Sequence, residues 1–312
     1  MPHATVPPWL ALALLQAALP MLLLGWLLAM PPGGRLSWLA QAAGTGALLL
    51  WLGVAGLWTV PPWWAVGVYA ALGLWAGDEA RRAWSGRRPP PGVLPSLQWP
   101  LDGGTFLVVN GGSDIRLNAH LETQDASVPR FARWRGNGHA VDLVALDRWG
   151  LRASGLQLAD LAAYRIQGWP VRAPCAGRVL IAQDGLPDMV PPRHDVPDRL
   201  AGNHVLMACG ELHVLLAHFR QGSVQVRAGQ HVRAGDGLAE VGNSGGSDEP
   251  HLHVHAQRPG PPGMPLGGEP VPVRFEGRYL VRGQRISVPA RTGPAAEEST
   301  PLKEKVPASR TE

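Results

Sequence analysis

The stretch that decides the fold lies in the C-terminal part of the chain and reads Glu249-Pro250-His251-Leu252-His253-Val254-His255. In a β-strand, residues at i, i+2 and i+4 point to one face, so the three imidazoles would share a face and the two apolar residues would pack behind them. Neutral imidazole is a common zinc ligand. The stretch therefore predicts either a strand that forms part of a metal site or a polar strand face with solvated histidines.

The segments that precede this strand supply further candidates. Val224–Gly245 has the pattern of a strand, two glycine turns and a return strand, which would deliver the chain directly to the histidines. Upstream, an apolar stretch ends at His218. Further upstream, Asp142 lies between Val141 and Leu143, where a carboxylate is costly to bury unless it is paired or binds a metal.

The region after about residue 99 is predicted to be mostly β, because short apolar stretches alternate with period two between glycine and proline. One short helix is expected at Gln157–Tyr164. The expected strands are Thr105–Val109, Ala140–Leu146, Arg178–Ile181, His204–Ala208, Leu212–Ala217, Ser223–Val226 and Leu252–Ala256.

The N-terminal part of the chain has a different composition. The chain has 28 Lys or Arg and 24 Asp or Glu residues, but the only charged residue between Met1 and Gly77 is Arg35. Uncharged runs cover Trp9–Met30, Leu36–Val60 and Trp63–Gly77. A bilayer core takes about 20 helical residues, so about three α-helical transmembrane segments are predicted here.

These patterns divide the chain into four parts. Residues 1–80 are predicted to be a transmembrane anchor, 81–99 an Arg- and Pro-rich linker, 100–290 the mainly β domain, and 291–312 a disordered tail. Two cysteines, Cys175 and Cys209, could form a disulfide or remain free. A basic stripe with interleaved aromatic residues is missing from the sequence, so nucleic acid is not an expected partner.

The order of motifs resembles the lysostaphin/LytM-type zinc metallopeptidases. The resemblance rests on Asp142 in its apolar strand, Gly202-Asn203-His204-Val205, Leu216-Ala217-His218, Gly242-Asn243-Ser244-Gly245 and Pro250-His251-Leu252-His253. It implies a compact antiparallel β domain of the duplicated hybrid type and one Zn²⁺ per chain. It also implies that Asp142 and His253 are metal ligands, and that His218 and His251 are catalytic residues that do not bind the metal.

The third zinc ligand is open at this stage. The family usually has His-x-x-x-Asp, but Gly138 stands four residues before Asp142, and His139 stands three before it. Residues i and i+3 of a regular strand face opposite ways, so His139 would need a bulge near Gly136 or Gly138 to reach the metal. His120, in an Asn-x-His segment that resembles a branch of the family, is the favoured candidate.

The resemblance implies an enzyme, a membrane-anchored zinc metalloendopeptidase that cuts peptide cross-links of bacterial peptidoglycan. The alternative is a degenerate module that binds the cell wall or regulates another hydrolase, suggested by the missing His-x-x-x-Asp spacing. A lipoyl-type carrier is excluded as a third option because the first lysine of the chain is Lys303.

The expected location is the bacterial inner membrane, with the peptidase domain on the periplasmic or extracellular side. The positive-inside rule disagrees. With three spans, Arg35 and the cluster Arg81, Arg82, Arg87 and Arg88 lie on the same side as the β domain, which places that side in the cytoplasm.

Overall fold

The computed structural model describes residues 71, 74–75, 78–79, 81–155, 159–191 and 199–290. Within these residues, no helix combines the length and the apolar character needed to cross a membrane. The predicted spans fall on residues 9–77, and almost all of these lie outside the described residues, as does the predicted tail at 291–312.

The described residues form a mainly β structure, as predicted. Its largest sheet has nine strands, with the path β13-β2-β3-β10-β7-β6-β5-β8 and with β11 beside β10. Two small sheets pair β1 with β12 and β4 with β9. The strands are β1 (Ser96–Leu97), β2 (Gly104–Asn110), β3 (Val141–Leu146), β4 (Pro170–Arg172), β5 (Gly177–Gln183), β6 (Asn203–Cys209), β7 (Leu212–Phe219), β8 (His231–Val232), β9 (Gly237–Glu240), β10 (Leu252–Gln257), β11 (Pro270–Val271), β12 (Arg274–Phe275) and β13 (Arg285–Val288).

The two faces of β10 have different roles. Leu252, Val254 and Ala256 pack into the main hydrophobic core, where full burial of one Val or Leu side chain is worth about 1.5–3 kcal/mol. The alternate residues, His253 among them, point to the opposite face of the sheet. A slip of one residue would exchange the two sets, so the core fixes the register that presents the histidines.

That opposite face is covered by irregular segments. Short 3₁₀ helices form at Ala119–Gln124 and Pro129–His139, and the second packs against β10 and β11. A smaller apolar cluster on the same side includes Leu215, Ala217 and Leu266. The histidine face is therefore buried, and its polar groups must find partners within the protein.

Two of the secondary-structure predictions are wrong. Ser223–Val226 is not a strand, although the Gln225 N–H donates to the carbonyl of Leu238. Of the predicted helix, the described residues 159–164 contain a single 3₁₀ turn, Leu161–Ala163. The Asp160 side chain accepts from the N–H of Ala162 at its start, and Tyr164 turns into an extended bridge with Ala153.

Part of the predicted linker packs on the β domain. Residues 81–85 are helical, and the Ser113 hydroxyl donates to the carbonyls of Gly86 and Arg88. Arg116 pairs with Glu79. These contacts join the end of the predicted anchor and the start of the predicted linker to the loop that leads towards His120.

A disulfide joins Cys175 and Cys209, whose Cα atoms are 5.9 Å apart. Cys209 ends β6, and Cys175 precedes β5, the neighbouring strand. Both side chains pack against the main core. The two cysteines are therefore bonded to each other, whereas the sequence left open whether they were bonded or free.

Candidate metal centre

Asp142 and His253 are direct partners across the β3–β10 ladder. His253 Nδ1 lies 2.9 Å from Asp142 Oδ1, and both side chains are buried. Burial alone would raise the pKa of Asp142, but the nearby His120, His251 and His253 hold that pKa well below its usual value. A buried carboxylate is thus kept ionised, which is the condition for a metal ligand.

His120 reaches the same carboxylate from the 3₁₀ helix Ala119–Gln124. Its Nε2 lies 3.5 Å from Asp142 Oδ2, and its ring is 4.9 Å from that of His253, centroid to centroid. Burial lowers the pKa of His120 to about 4, although Asp142 opposes the shift. The imidazole is therefore neutral near pH 7, the form that binds metals.

Asn118 sets the orientation of His120. Its side-chain amide donates to the Ala140 carbonyl at 3.0 Å, so its Oδ1 faces His120. That oxygen accepts from the His120 backbone N–H and lies 3.0 Å from His120 Nδ1. Because an oxygen can only accept here, the ring proton sits on Nδ1, and the lone pair on Nε2 faces Asp142.

His139 is not brought to this cluster. It ends the 3₁₀ helix Pro129–His139, before β3 begins at Val141, and the bulge that would turn it towards Asp142 is not found there. Among the described residues, neither of the two groups able to hold a metal includes His139. Its Nδ1 is buried, with no hydrogen-bond partner in the described part of the chain.

His218 occupies an irregular position at the end of β7. The β6–β7 register passes from His204 opposite Ala217 to Asn203 opposite Phe219, so His218 is an extra, bulged residue. Its φ is +65°, a left-handed conformation that costs roughly 1–2 kcal/mol in a non-glycine residue. Bulges and strained residues of this kind are concentrated at functional sites.

His218 and His251 form a second pair beside the first. Their ring centroids are 4.7 Å apart. His218 Nδ1 is 2.9 Å from the Ser244 carbonyl, and His251 Nδ1 is 2.8 Å from the Glu249 carbonyl. A carbonyl accepts, so each ring carries its proton on Nδ1 and has a basic Nε2. His251 Nε2 lies 3.6 Å from Asp142 Oδ1.

Asn110 is a contact that the sequence patterns did not reveal. A register shift in the β2–β3 pair leaves Val109 as an extra residue and places Asn110 opposite Asp142. The Asn110 amide donates to Asp142 Oδ2 at 2.9 Å. In the sequence, Asn110 stands out only as a polar residue at the end of an apolar strand. Such residues are common at strand ends, so this pattern does not identify a functional residue.

The cluster lies in the wall of a groove of about 700 Å³. Phe131, Trp134 and Leu266 give the groove an apolar side. Arg152 and Glu249 line it as an ion pair, with Nε and Oε2 3.2 Å apart. A groove of this size lies within the usual range of ligand-binding sites.

Two sets of residues among those described could hold a metal ion: His120, Asp142 and His253, or His218, His251 and His253. The donor atoms of each set lie within 4.8 Å of one another. The first set combines two imidazoles with a buried carboxylate, a donor set that zinc accepts. The second set lacks Asp142, whose buried negative charge a bound cation would compensate. The first set therefore fits zinc better than the second.

The comparisons with known proteins agree with the motifs. Residues 157–265, about a third of the chain, match the family model described as Peptidase family M23. Residues 157–265 are therefore similar to this family, and the resemblance to lysostaphin/LytM-type peptidases is confirmed. The match includes His218, His251 and His253, whereas His120 and Asp142 precede it. No curated protein matches the sequence significantly.

Solved structures that this chain matches include a putative M23 peptidase from Pseudomonas aeruginosa, with 19% identity, 61% of this chain and 60% of that chain covered, and a TM-score of 0.31. The catalytic domain of lysostaphin from Staphylococcus simulans has 20% identity, 35% and 78% coverage and a TM-score of 0.23. A zinc-containing peptidase from Vibrio cholerae has 17% identity, 48% and 50% coverage and a TM-score of 0.24. The chain thus spans less than two thirds of the Pseudomonas protein.

Proposed function

We propose that this chain is a membrane-anchored zinc metalloendopeptidase that hydrolyses peptide cross-links of bacterial peptidoglycan. The proposal is carried by one observation. The ionised, buried Asp142 is met by His120 and His253 in the wall of a groove, beside a second pair of histidines. A buried, ionised carboxylate is costly unless a cation completes the site.

In this proposal, His120, Asp142 and His253 hold one Zn²⁺. When bound, the ion supplies a Lewis acid and lowers the pKa of a water molecule that it binds. His120 brings its Nε2 lone pair, because Asn118 holds the ring proton on Nδ1. Asn110 restrains the Asp142 carboxylate from the other side.

His218 and His251 are then the proton carriers. Each has a basic Nε2, because its Nδ1–H is bonded to a backbone carbonyl. One of them accepts a proton from the water that adds to the peptide carbonyl carbon. The same proton is returned to the amine nitrogen as the C–N bond breaks, so a peptide and a water become a carboxylic acid and an amine.

The disulfide bears on the side of the membrane. Structural disulfides persist in oxidising compartments and are rare in the cytosol, so Cys175–Cys209 supports a periplasmic or extracellular peptidase domain. The arginines near the predicted anchor favour the cytoplasm. We propose the periplasmic or extracellular side. A reporter fused at Leu97 that is active only in the cytoplasm would contradict this placement.

The function is tested by digestion of purified sacculi with the full-length chain after zinc loading, with release of new amino groups as the signal. Wild type should release amines, and His251→Ala should not. His231→Ala is the matched control because His231 is exposed on β8, and it should behave as wild type. Zinc binding without amine release would favour the alternative, a degenerate module that binds the wall or regulates another hydrolase.

A further inference from the structure

Strand β10 carries three polar side chains in a row on the face of the metal centre: His253, His255 and Gln257. Their exposed fractions are 3%, 1% and 0%. The first is the proposed zinc ligand, and the other two take no part in the mechanism above. Burying an imidazole and an amide is costly unless they are hydrogen-bonded, so their arrangement requires a reason.

The orientation of the Gln257 amide is fixed by Pro265. Gln257 Nε2 lies 2.5 Å from the Pro265 carbonyl oxygen, which can only accept. The amide nitrogen is therefore identified, and Oε1 faces the other way. Glycines make room for this group: a Cβ at Gly136 would lie 1.6 Å from Oε1, and a Cβ at Gly268 would lie 2.9 Å from Nε2.

His255 lies between Gln257 and His253. His255 Nδ1 is 3.1 Å from His253 Nε2. Within the described part of the chain, His255 Nε2 and Gln257 Oε1 are both buried without a hydrogen-bond partner. Both side chains lie on the same face of β10, so Gln257 Oε1 offers the acceptor that His255 Nε2 lacks, and His255 Nε2–H offers the donor that Oε1 lacks.

We propose that His255 and Gln257 are positioning residues that fix the tautomer in which His253 binds zinc, an inference that rests on the proposed zinc site. Gln257 Oε1 accepts from His255 Nε2–H. A neutral imidazole has one N–H, so His255 Nδ1 accepts from His253 Nε2–H. The lone pair of His253 then lies on Nδ1, the atom 2.9 Å from Asp142 Oδ1.

The alternative tautomer of His253 shows what His255 and Gln257 contribute to metal binding. With its proton on Nδ1, His253 would donate to Asp142 and would have no lone pair for the metal. His255 would then have to donate from Nδ1, and its Nε2 lone pair would face Gln257 Oε1, so that two buried acceptors would oppose each other. The fixed amide disfavours that state, as outer partners of metal-bound histidines commonly do.

Zinc affinity of the full-length chain, measured by competition with a chromophoric chelator, tests the inference. His255→Phe and Gln257→Met remove the acceptors and should weaken zinc binding by about 10- to 100-fold. His255→Asn keeps an acceptor where Nδ1 was and should stay close to wild type. Val254→Ala, on the core face of the same strand, should lower the melting temperature without changing zinc affinity.

The tautomers can also be read directly, without a variant, from ¹⁵N-histidine NMR of the zinc-loaded full-length chain. His255 should carry its proton on Nε2. A proton on His255 Nδ1, or wild-type zinc affinity in both His255→Phe and Gln257→Met, would overturn the inference while the zinc site stood. A wild-type chain that binds no zinc would instead overturn the proposed function.

Discussion

Asp142 and His253 face each other in register on neighbouring antiparallel strands, with Asp142 Oδ1 and His253 Nδ1 2.9 Å apart. The cores behind β3 and β10 fix this register, because Leu143, Leu252 and Val254 are buried on the opposite face. The site is therefore built on a strand pairing whose register the hydrophobic core holds in place.

Replacing Asp142 by Asn should abolish tight zinc binding. Asn has nearly the same shape, but it lacks the negative charge that compensates the cation, and an NH₂ group that cannot bind a metal replaces one of the two carboxylate oxygens. Chelator competition measures the loss. Wild-type zinc affinity in Asp142→Asn would show that the carboxylate is not a ligand.

His120→Ala and His139→Ala form a matched pair for the third ligand. His120 Nε2 lies 3.5 Å from Asp142 Oδ2, and His139 belongs to neither group of possible ligands among the described residues. His120→Ala should therefore lose zinc, and His139→Ala should keep it. Equilibrium dialysis followed by zinc analysis distinguishes the two variants. Loss of zinc in His139→Ala but not in His120→Ala would show that His139 is the third ligand.

His218 has a φ of +65°, so its replacements separate backbone strain from catalysis. Glycine adopts this conformation without a steric penalty and alanine does not. His218→Gly should therefore be more stable than His218→Ala by about 1 kcal/mol, as measured by urea unfolding. Both should fail to digest sacculi, and retained activity in either would remove His218 from the mechanism.

Removing the disulfide should destabilise the β domain. Cys175 and Cys209 are 34 positions apart, and closing a loop of that length is worth about 4 kcal/mol. The double variant Cys175→Ser, Cys209→Ser should unfold at lower urea concentration than wild type. Free thiols in the wild-type chain, assayed after rapid alkylation of cells, would contradict both the disulfide and the proposed compartment.

His204 gives an expectation for pH. Burial lowers the pKa of His204 in the folded chain, so the unfolded chain binds protons more readily, and folding stability falls as pH drops below about 6.5. His204→Gln should reduce the slope of stability against pH in that range, measured on chelator-treated chain. An unchanged slope would show that His204 titrates alike in both states.

The sequence predicted those parts of the fold that depend on local pattern. The alternation in Leu252–Ala256 defined β10 and its histidine face because one face of this strand is apolar throughout. Ser223–Val226 has the same alternation but forms no strand; its contact with Leu238 is the single backbone hydrogen bond from Gln225. Pattern alone cannot tell whether a neighbouring strand is present to complete the ladder.

The site was predicted less completely, because much of it depends on contacts distant in sequence. His120 and His139 could not be separated by spacing. The choice depends on Asn118, whose amide is fixed by the Ala140 carbonyl. In the same way, the position of His218 depends on a bulge that exists only against β6. The contact between Gln257 and Pro265 depends on how the chain returns after β10.

The most direct test of the account is a zinc-edge anomalous difference map from crystals of the zinc-loaded chain. We predict one peak per chain, bound by His120, Asp142 and His253, with His218 and His251 beside it but not bound to the ion. A map without a peak in the groove would contradict the account. A peak bound by His218, His251 and His253, or by His139, would contradict it equally.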